Sequence, residues 1–187
     1  MESLGVDFRD CPVIIYDNDG NQMGSTVVKE HDKREMTISV SELPEGATQG
    51  ERLDLLIIYS GGAGRFYGTP RKSMGIGAYE IALFKEHEQY SRGAERFKLS
   101  APALINNIVT NLGKTPLEPP VKVVVKDLST NGMLIKAPPG NFKKGQTLEI
   151  DVNIQGKDVV FYGLILREQE GDYNTVSYGC KFVFPNL

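Results

Sequence analysis

Hydrophobicity that repeats every second residue is the feature that most narrows what this chain can fold into. Met36, Ile38 and Val40 alternate with Thr37, Ser39 and Ser41, and Leu148, Ile150, Val152 and Ile154 alternate with Glu149, Asp151 and Asn153. Val176, Tyr178, Cys180, Phe182 and Phe184 form a third such face, and Val121, Val123 and Val125 a fourth. Successive side chains of an extended backbone point to opposite sides, so this period buries one face of a strand and wets the other. The denser runs Leu53 to Tyr59 and Val159 to Leu166 predict central strands. No segment carries the spacing of a long amphipathic helix, although Ala78 to Tyr90 reads as a strand that could run into a helical or irregular connector. The fold class expected is all-β.

Turn chemistry cuts these runs apart at Asp19-Gly20, Pro44-Glu45-Gly46, Ser60 to Gly64, Pro138-Pro139-Gly140 and Gln155-Gly156. The strands gather into two clusters, about Pro12 to Phe84 and about Phe97 to Phe184. Between them the charged segment Lys85 to Arg96 has almost no apolar residue and reads as a linker. The expected domains are therefore 1–88 and 89–187. The proline-rich piece Thr115 to Pro120 is expected to be a loop, because cutting the chain there leaves the second half too few strands to cover its edges.

Charge narrows the function. A formal net charge of -3 gives no whole-chain attraction to nucleic acid or to an anionic membrane, so any anion site must be a local cluster of arginines. A barrel that binds single-stranded nucleic acid would need aromatic stacking positions and a basic groove, and this chain has no tryptophan. The N-terminus shows no basic region followed by a long apolar run, so neither a signal peptide nor membrane insertion is expected. Cys11 and Cys180 lack a CxxC partner and fit two reduced thiols of a cytoplasmic protein, with no metal site.

Other patterns fail on their own chemistry. Gly140 to Thr147 has the glycine spacing of a phosphate-binding loop, but Gln146 stands where the phosphate-contacting lysine belongs, and a hairpin loop leading into Leu148 fits better. Asp17-Asn18-Asp19-Gly20 starts like a calcium loop, yet its glycine comes two positions early and the closing glutamate is missing, which leaves a turn. Ser60 to Gly64 and Gly75 to Gly77 lack the strand and helix context of dinucleotide binding and read as loops. His31 and His87 lie in polar stretches with no nucleophile assigned to them, so no catalysis is expected.

Two short pieces remain: Arg92-Gly93-Ala94-Glu95-Arg96, and Asp127-Leu128-Ser129-Thr130-Asn131-Gly132 after the run Val121 to Lys126. Taken singly they would be solvated linker charges and a hairpin turn. Together, as RxxxR followed by DxSxxG on an all-β background, they resemble the PilZ family. Lys144 to Ile150 and Tyr178-Gly179-Cys180-Lys181-Phe182 extend the likeness over Tyr90 to Leu187.

That resemblance implies a bacterial, cytoplasmic receptor for cyclic di-GMP that is not an enzyme, built as two small β-barrels in tandem with the PilZ barrel C-terminal. It implies Arg92, Arg96, Asp127, Ser129 and Gly132 as the ligand-binding residues, with Ser91 and Asn131 as contacts suggested by adjacency alone. The residue types suit the ligand. A guanidinium can fork onto phosphate oxygens or onto the O6 and N7 edge of guanine, and an ionised aspartate accepts from guanine N1 and N2. Ser129 could donate to a phosphate or tether an arginine, and Gly132 would let the backbone approach the ligand. Many members carry a further arginine before the first, where this chain has Ser91, which leaves one nucleotide or a stacked pair open.

Residues 1–88 resemble more weakly the β-barrel domain that precedes PilZ in flagellar-brake-type proteins, through the strand Arg34 to Leu43 ending at Pro44 and the strand at Tyr67-Gly68. This implies an output module with a protein partner such as the flagellar motor, secretion or polysaccharide machinery. The alternative is an interaction adaptor that keeps the barrel and does not use the nucleotide. A ligand held by both connector and barrel would pin the first to the second, at the entropic cost of ordering the connector.

Overall fold

The computed structural model describes residues 6–74, 78–85 and 96–184. They are all-β, as expected, and pack as two units, Met1–Tyr59 with Gly64–Arg92 and Ser60–Ala63 with Gly93–Leu187.

One sheet, in the first unit but for Gly62 and Ala63, is formed by β1 (Pro12–Tyr16), β2 (Gln22–Asp32), β3 (Thr37–Val40), β4 (Leu53–Tyr59), β5 (Gly62–Gly68), β6 (Pro70–Lys72) and β7 (Tyr79–Ala82). Their order is β5-β4-β1-β2-β3-β7-β6. The sheet curls into a half-barrel. Tyr67 and Phe84 exchange backbone hydrogen bonds of 2.9 and 2.8 Å, and their rings stack with centroids 5.4 Å apart. The enclosed core holds Val13, Ile15, Leu55, Ile57, Phe66 and Phe8, all buried. Turn residues behave as their chemistry demands. Between β1 and β2 the Asp17 carboxylate accepts the Asn21 side-chain amide and the backbone N–H groups of Asn21 and Asp19, which holds its pKa below the usual carboxylate range.

The second unit contains β8 (Phe97–Thr110), β9 (Gly113–Leu128), β10 (Gly132–Ala137), β11 (Thr147–Ile154), β12 (Lys157–Gly171) and β13 (Thr175–Phe182), closed into a barrel in the order β10-β13-β12-β11-β8-β9. The alternating residues read from the sequence fill it. Leu148, Ile150, Val152 and Ile154 are buried, as are Val123, Val125, Tyr178, Cys180 and Phe182. The loop Pro138 to Gln146 leads into β11, so the Gly140 to Thr147 spacing opens a strand and not a helix; the expected hairpin is not formed, because β10 and β11 are separated by two strands in the barrel order.

Four further sequence expectations need correction. Thr115 to Pro120 is not a loop but part of β9, where Thr115 and Pro116 pair with Ile108 and Asn107, while the next pair is Ile105 with Val121. The register break between Ile105 and Asn107 accommodates residues 117–120, so Pro119 and Pro120 fall where no ladder N–H is required. Gly62 to Gly64 belong to β5, and only Ser60 and Gly61 form the turn. Met36 lies before β3 with a φ of 51°, in the left-handed region, so the alternating face starts at Ile38. Phe184 lies beyond β13 and is exposed. Gly75 to Gly77 and most of the Lys85 to Arg96 connector lie outside the described residues. Among the described residues no helix is long and apolar enough to cross a membrane.

Candidate functional site

The end of β9 and the start of β8 lie side by side, with Phe97 paired to Leu128 and Lys98 to Asp127. This register brings Arg96, the residue before β8, onto Asp127. Its Nη1 donates to Asp127 Oδ1 at 2.8 Å. Arg96 is about half exposed (49%) while Asp127 is mostly covered (16%), so the carboxylate is fixed and the guanidinium has one side in solvent. A carboxylate offers about four acceptor positions, and this ion pair leaves room for further donors.

The turn from β9 to β10 is built by Ser129. Its backbone N–H and its hydroxyl both donate to the Gly132 carbonyl, at 2.9 and 3.2 Å, and its Oγ accepts the Asn131 N–H at 3.3 Å. The residue is buried, so its hydroxyl is first of all a turn-closing group. Asn131 is exposed, and its carbonyl accepts the Phe182 N–H at 2.9 Å, tying the turn to β13. Gly132 has an equally local reason. A Cβ there would lie 2.1 Å from the Cys180 carbonyl oxygen, so the close approach that needs glycine is to the neighbouring strand. Arg92 and Ser91 lie outside the described residues.

Strand pairing adds residues that spacing alone did not single out. Leu134 pairs with both Asp127 and Gly179, and Gly179 pairs in turn with Arg167, so these four share one face across β9, β10, β13 and β12. Lys181, opposite Gly132, lies on the same face two residues from Gly179. The alternation of Tyr178 and Cys180 inward already turns Gly179 and Lys181 outward, but only the register shows what stands beside them.

The nucleophilic chemistry of the barrel is muted. Burial pushes the Cys180 thiol up to about 12, which leaves it protonated and inert at neutral pH. Among the described residues no three His, Cys, Asp or Glu side chains gather as a metal ion would require.

Residues 90–187 match the family model described as the PilZ domain. No curated protein matches the chain. Among solved structures, the chain is similar to the Bacillus subtilis inhibitor of motility MotI/DgrA, at 10% identity and a TM-score of 0.38 over 97% of this chain and 90% of that one. It is also similar to a K. pneumonia MrkH complex with c-di-GMP, at 12% identity and a TM-score of 0.38 over 94% and 80% of the two chains. A third is YcgR from Escherichia coli in complex with c-di-GMP, at 12% identity and a TM-score of 0.37 over 93% and 76%.

Proposed function

The chain belongs to the PilZ domain family, and from that premise we propose that it is a receptor for cyclic di-GMP. The observation that carries this reading is the Arg96–Asp127 pair. The second arginine of RxxxR and the first residue of DxSxxG meet at 2.8 Å within the matched region, with a guanidinium half in solvent beside a fixed acceptor. Such a pair suits a ligand that is both anionic and rich in N–H donors. Guanidinium meets phosphate or the guanine O6 and N7 edge, and the carboxylate accepts from guanine N1 and N2.

In this reading residues 89–187 are the receptor domain and residues 1–88 the output module. Arg92, with Ser91 and Asn131 as lesser contacts, joins Arg96 and Asp127 at the ligand. Ser129 and Gly132 act chiefly by shaping the turn that presents them. The protein is a non-catalytic, cytoplasmic effector that passes nucleotide level to a protein partner in motility, secretion or polysaccharide control. Calorimetric titration with cyclic di-GMP and cyclic di-AMP tests it. Saturable binding of the guanine ligand at micromolar or tighter affinity, with little or none of the adenine one, is expected, and absence of binding to either would overturn it.

One observation favours a second reading. Asp127 is engaged by Arg96 and the Ser129 hydroxyl by Gly132, so the motif satisfies itself without a ligand. A protein-interaction adaptor that does not use the nucleotide would show this self-contained arrangement, and the same titration separates the two.

A further inference from the structure

β12 carries a bulge between Ile165 and Arg167, which leaves Leu166 and Arg167 both exposed and sets Arg167 opposite Gly179. The arginine stem lies across that glycine. Its Nε and Cγ are 2.6 and 2.7 Å from where a Gly179 Cβ would stand. Gly179 thus acts as a groove for the Arg167 side chain. Continuing along the same register are Leu134, half-buried, and then Asp127.

Neighbouring strands lie roughly 4.8 Å apart, so three steps separate Arg167 from Asp127, about 14 Å between backbones. The Arg167 stem already spans the first step, leaving about 10 Å of outer face between fork and acceptor, floored by Leu134 and Gly179. Among the described residues neither Arg167 nor Lys181 makes an ion pair, so their charge is not consumed by a fixed carboxylate. An exposed arginine held by its stem across a glycine, on the register that ends at the Asp127 acceptor, is a cation without an internal use among the described residues.

We propose that Arg167 is the far anchor of the nucleotide site, engaging the half of cyclic di-GMP that Asp127 does not hold, with Gly179 as the shelf that positions it. The inference rests on the receptor reading above. A cyclic dinucleotide repeats its guanine and its phosphate, so a platform with an acceptor at one end and a fork at the other addresses both halves, whereas a mononucleotide would leave one end unused. The guanidinium meets either the second guanine's O6 and N7 edge or a phosphate, and both are fork chemistry.

The test is titration of the full chain and its Arg167→Ala, Arg167→Lys, Gly179→Ala and Asp127→Ala variants with cyclic di-GMP and with the hybrid cyclic GMP–AMP. Arg167→Ala is expected to weaken cyclic di-GMP about tenfold, as loss of one charged hydrogen-bonding group does. Arg167→Lys is expected to recover only part, because an ammonium cannot fork. Gly179→Ala keeps the charge and displaces the stem, so it too is expected to weaken binding. The hybrid identifies the contact. A smaller Arg167→Ala loss with the hybrid marks the guanine edge, since adenine lacks O6, and an equal loss marks phosphate. Thermal melting should be unchanged for the Arg167 variants. If the parent binds and Asp127→Ala fails while the Arg167 and Gly179 variants bind as the parent does, the far anchor is overturned and the receptor reading stands. If the parent does not bind, both fall.

Discussion

Arg96 and Asp127 stand 31 residues apart in the chain and 2.8 Å apart in space, joined because β8 and β9 pair at their outer ends. The contact places the second arginine of one motif on the first residue of the other. A polar connector residue thereby becomes part of the barrel surface.

Replacing Arg96 by alanine is expected to weaken cyclic di-GMP binding by roughly 2 kcal/mol, the scale of a charged hydrogen-bonding group. Stability should hardly change, since a half-exposed ion pair contributes about 0–1 kcal/mol. Calorimetry paired with urea melts separates the two effects, and a variant that binds as the parent does removes Arg96 from the site. Arg92→Ala is expected to behave alike.

Asp127→Ala should reduce affinity and also narrow the preference for guanine. Adenine offers no N1 hydrogen or N2 amine to the carboxylate, so cyclic di-AMP has little to lose. Competition between the two cyclic dinucleotides measures this, and equal losses for both would show that Asp127 does not read the base.

Gly132→Ala should destabilise the barrel before it affects any ligand. Its Cβ would fall 2.1 Å from the Cys180 carbonyl oxygen, a backbone atom that cannot swing aside. A loss of about 1–3 kcal/mol is expected from forced overpacking of this kind. Urea unfolding reads it directly, and a variant as stable as the parent would mean that β10 and β13 are not packed so closely.

The first unit should lose stability in mild acid through His31. Its side chain is 1% exposed, its Nδ1 accepts the Phe8 N–H at 3.1 Å, and its Nε2 is buried without a hydrogen-bond partner. Burial pulls its pKa below the ordinary histidine value, although the nearby Asp7 and Asp32 pull the other way and Lys33 adds to the lowering. The unfolded chain then takes up the proton first as pH falls. The stabilisation is complete above about 6.5 and is lost on descending toward the lower folded value. Melting temperature should drop between neutral pH and pH 5, and the slope should flatten in His31→Gln. An unchanged slope in that variant would assign the acid sensitivity to other groups.

Much of the barrel was legible in the sequence because its core residues sit at the strand period. Leu148 to Ile154 and Tyr178 to Phe182 are buried on the alternate positions that the pattern requires. The pattern overreached where a strand stops, at Phe184, and where the backbone turns left-handed, at Met36. It underreached at Thr115 to Pro120. Proline signals a break in pairing there, and the chain keeps its extended course across the interruption. The RxxxR and DxSxxG pieces announced Arg96 and Asp127 by residue type and order. Arg167 stayed hidden because its place depends on a bulge and on three successive strand registers. Register is set by contacts far apart in sequence, and a single-residue slip would turn Arg167 to the other face.

The closure of the second barrel governs how anything can dock on it. Each of its strands is paired on both sides, so the barrel proper exposes no open ladder of N–H and C=O groups. A partner cannot join it by adding a strand, a mode that reads main chain and tolerates many sequences. Recognition must pass through side chains on the outer faces and through the hairpin ends. Selectivity on such a surface can be retuned one residue at a time without disturbing the sheet beneath.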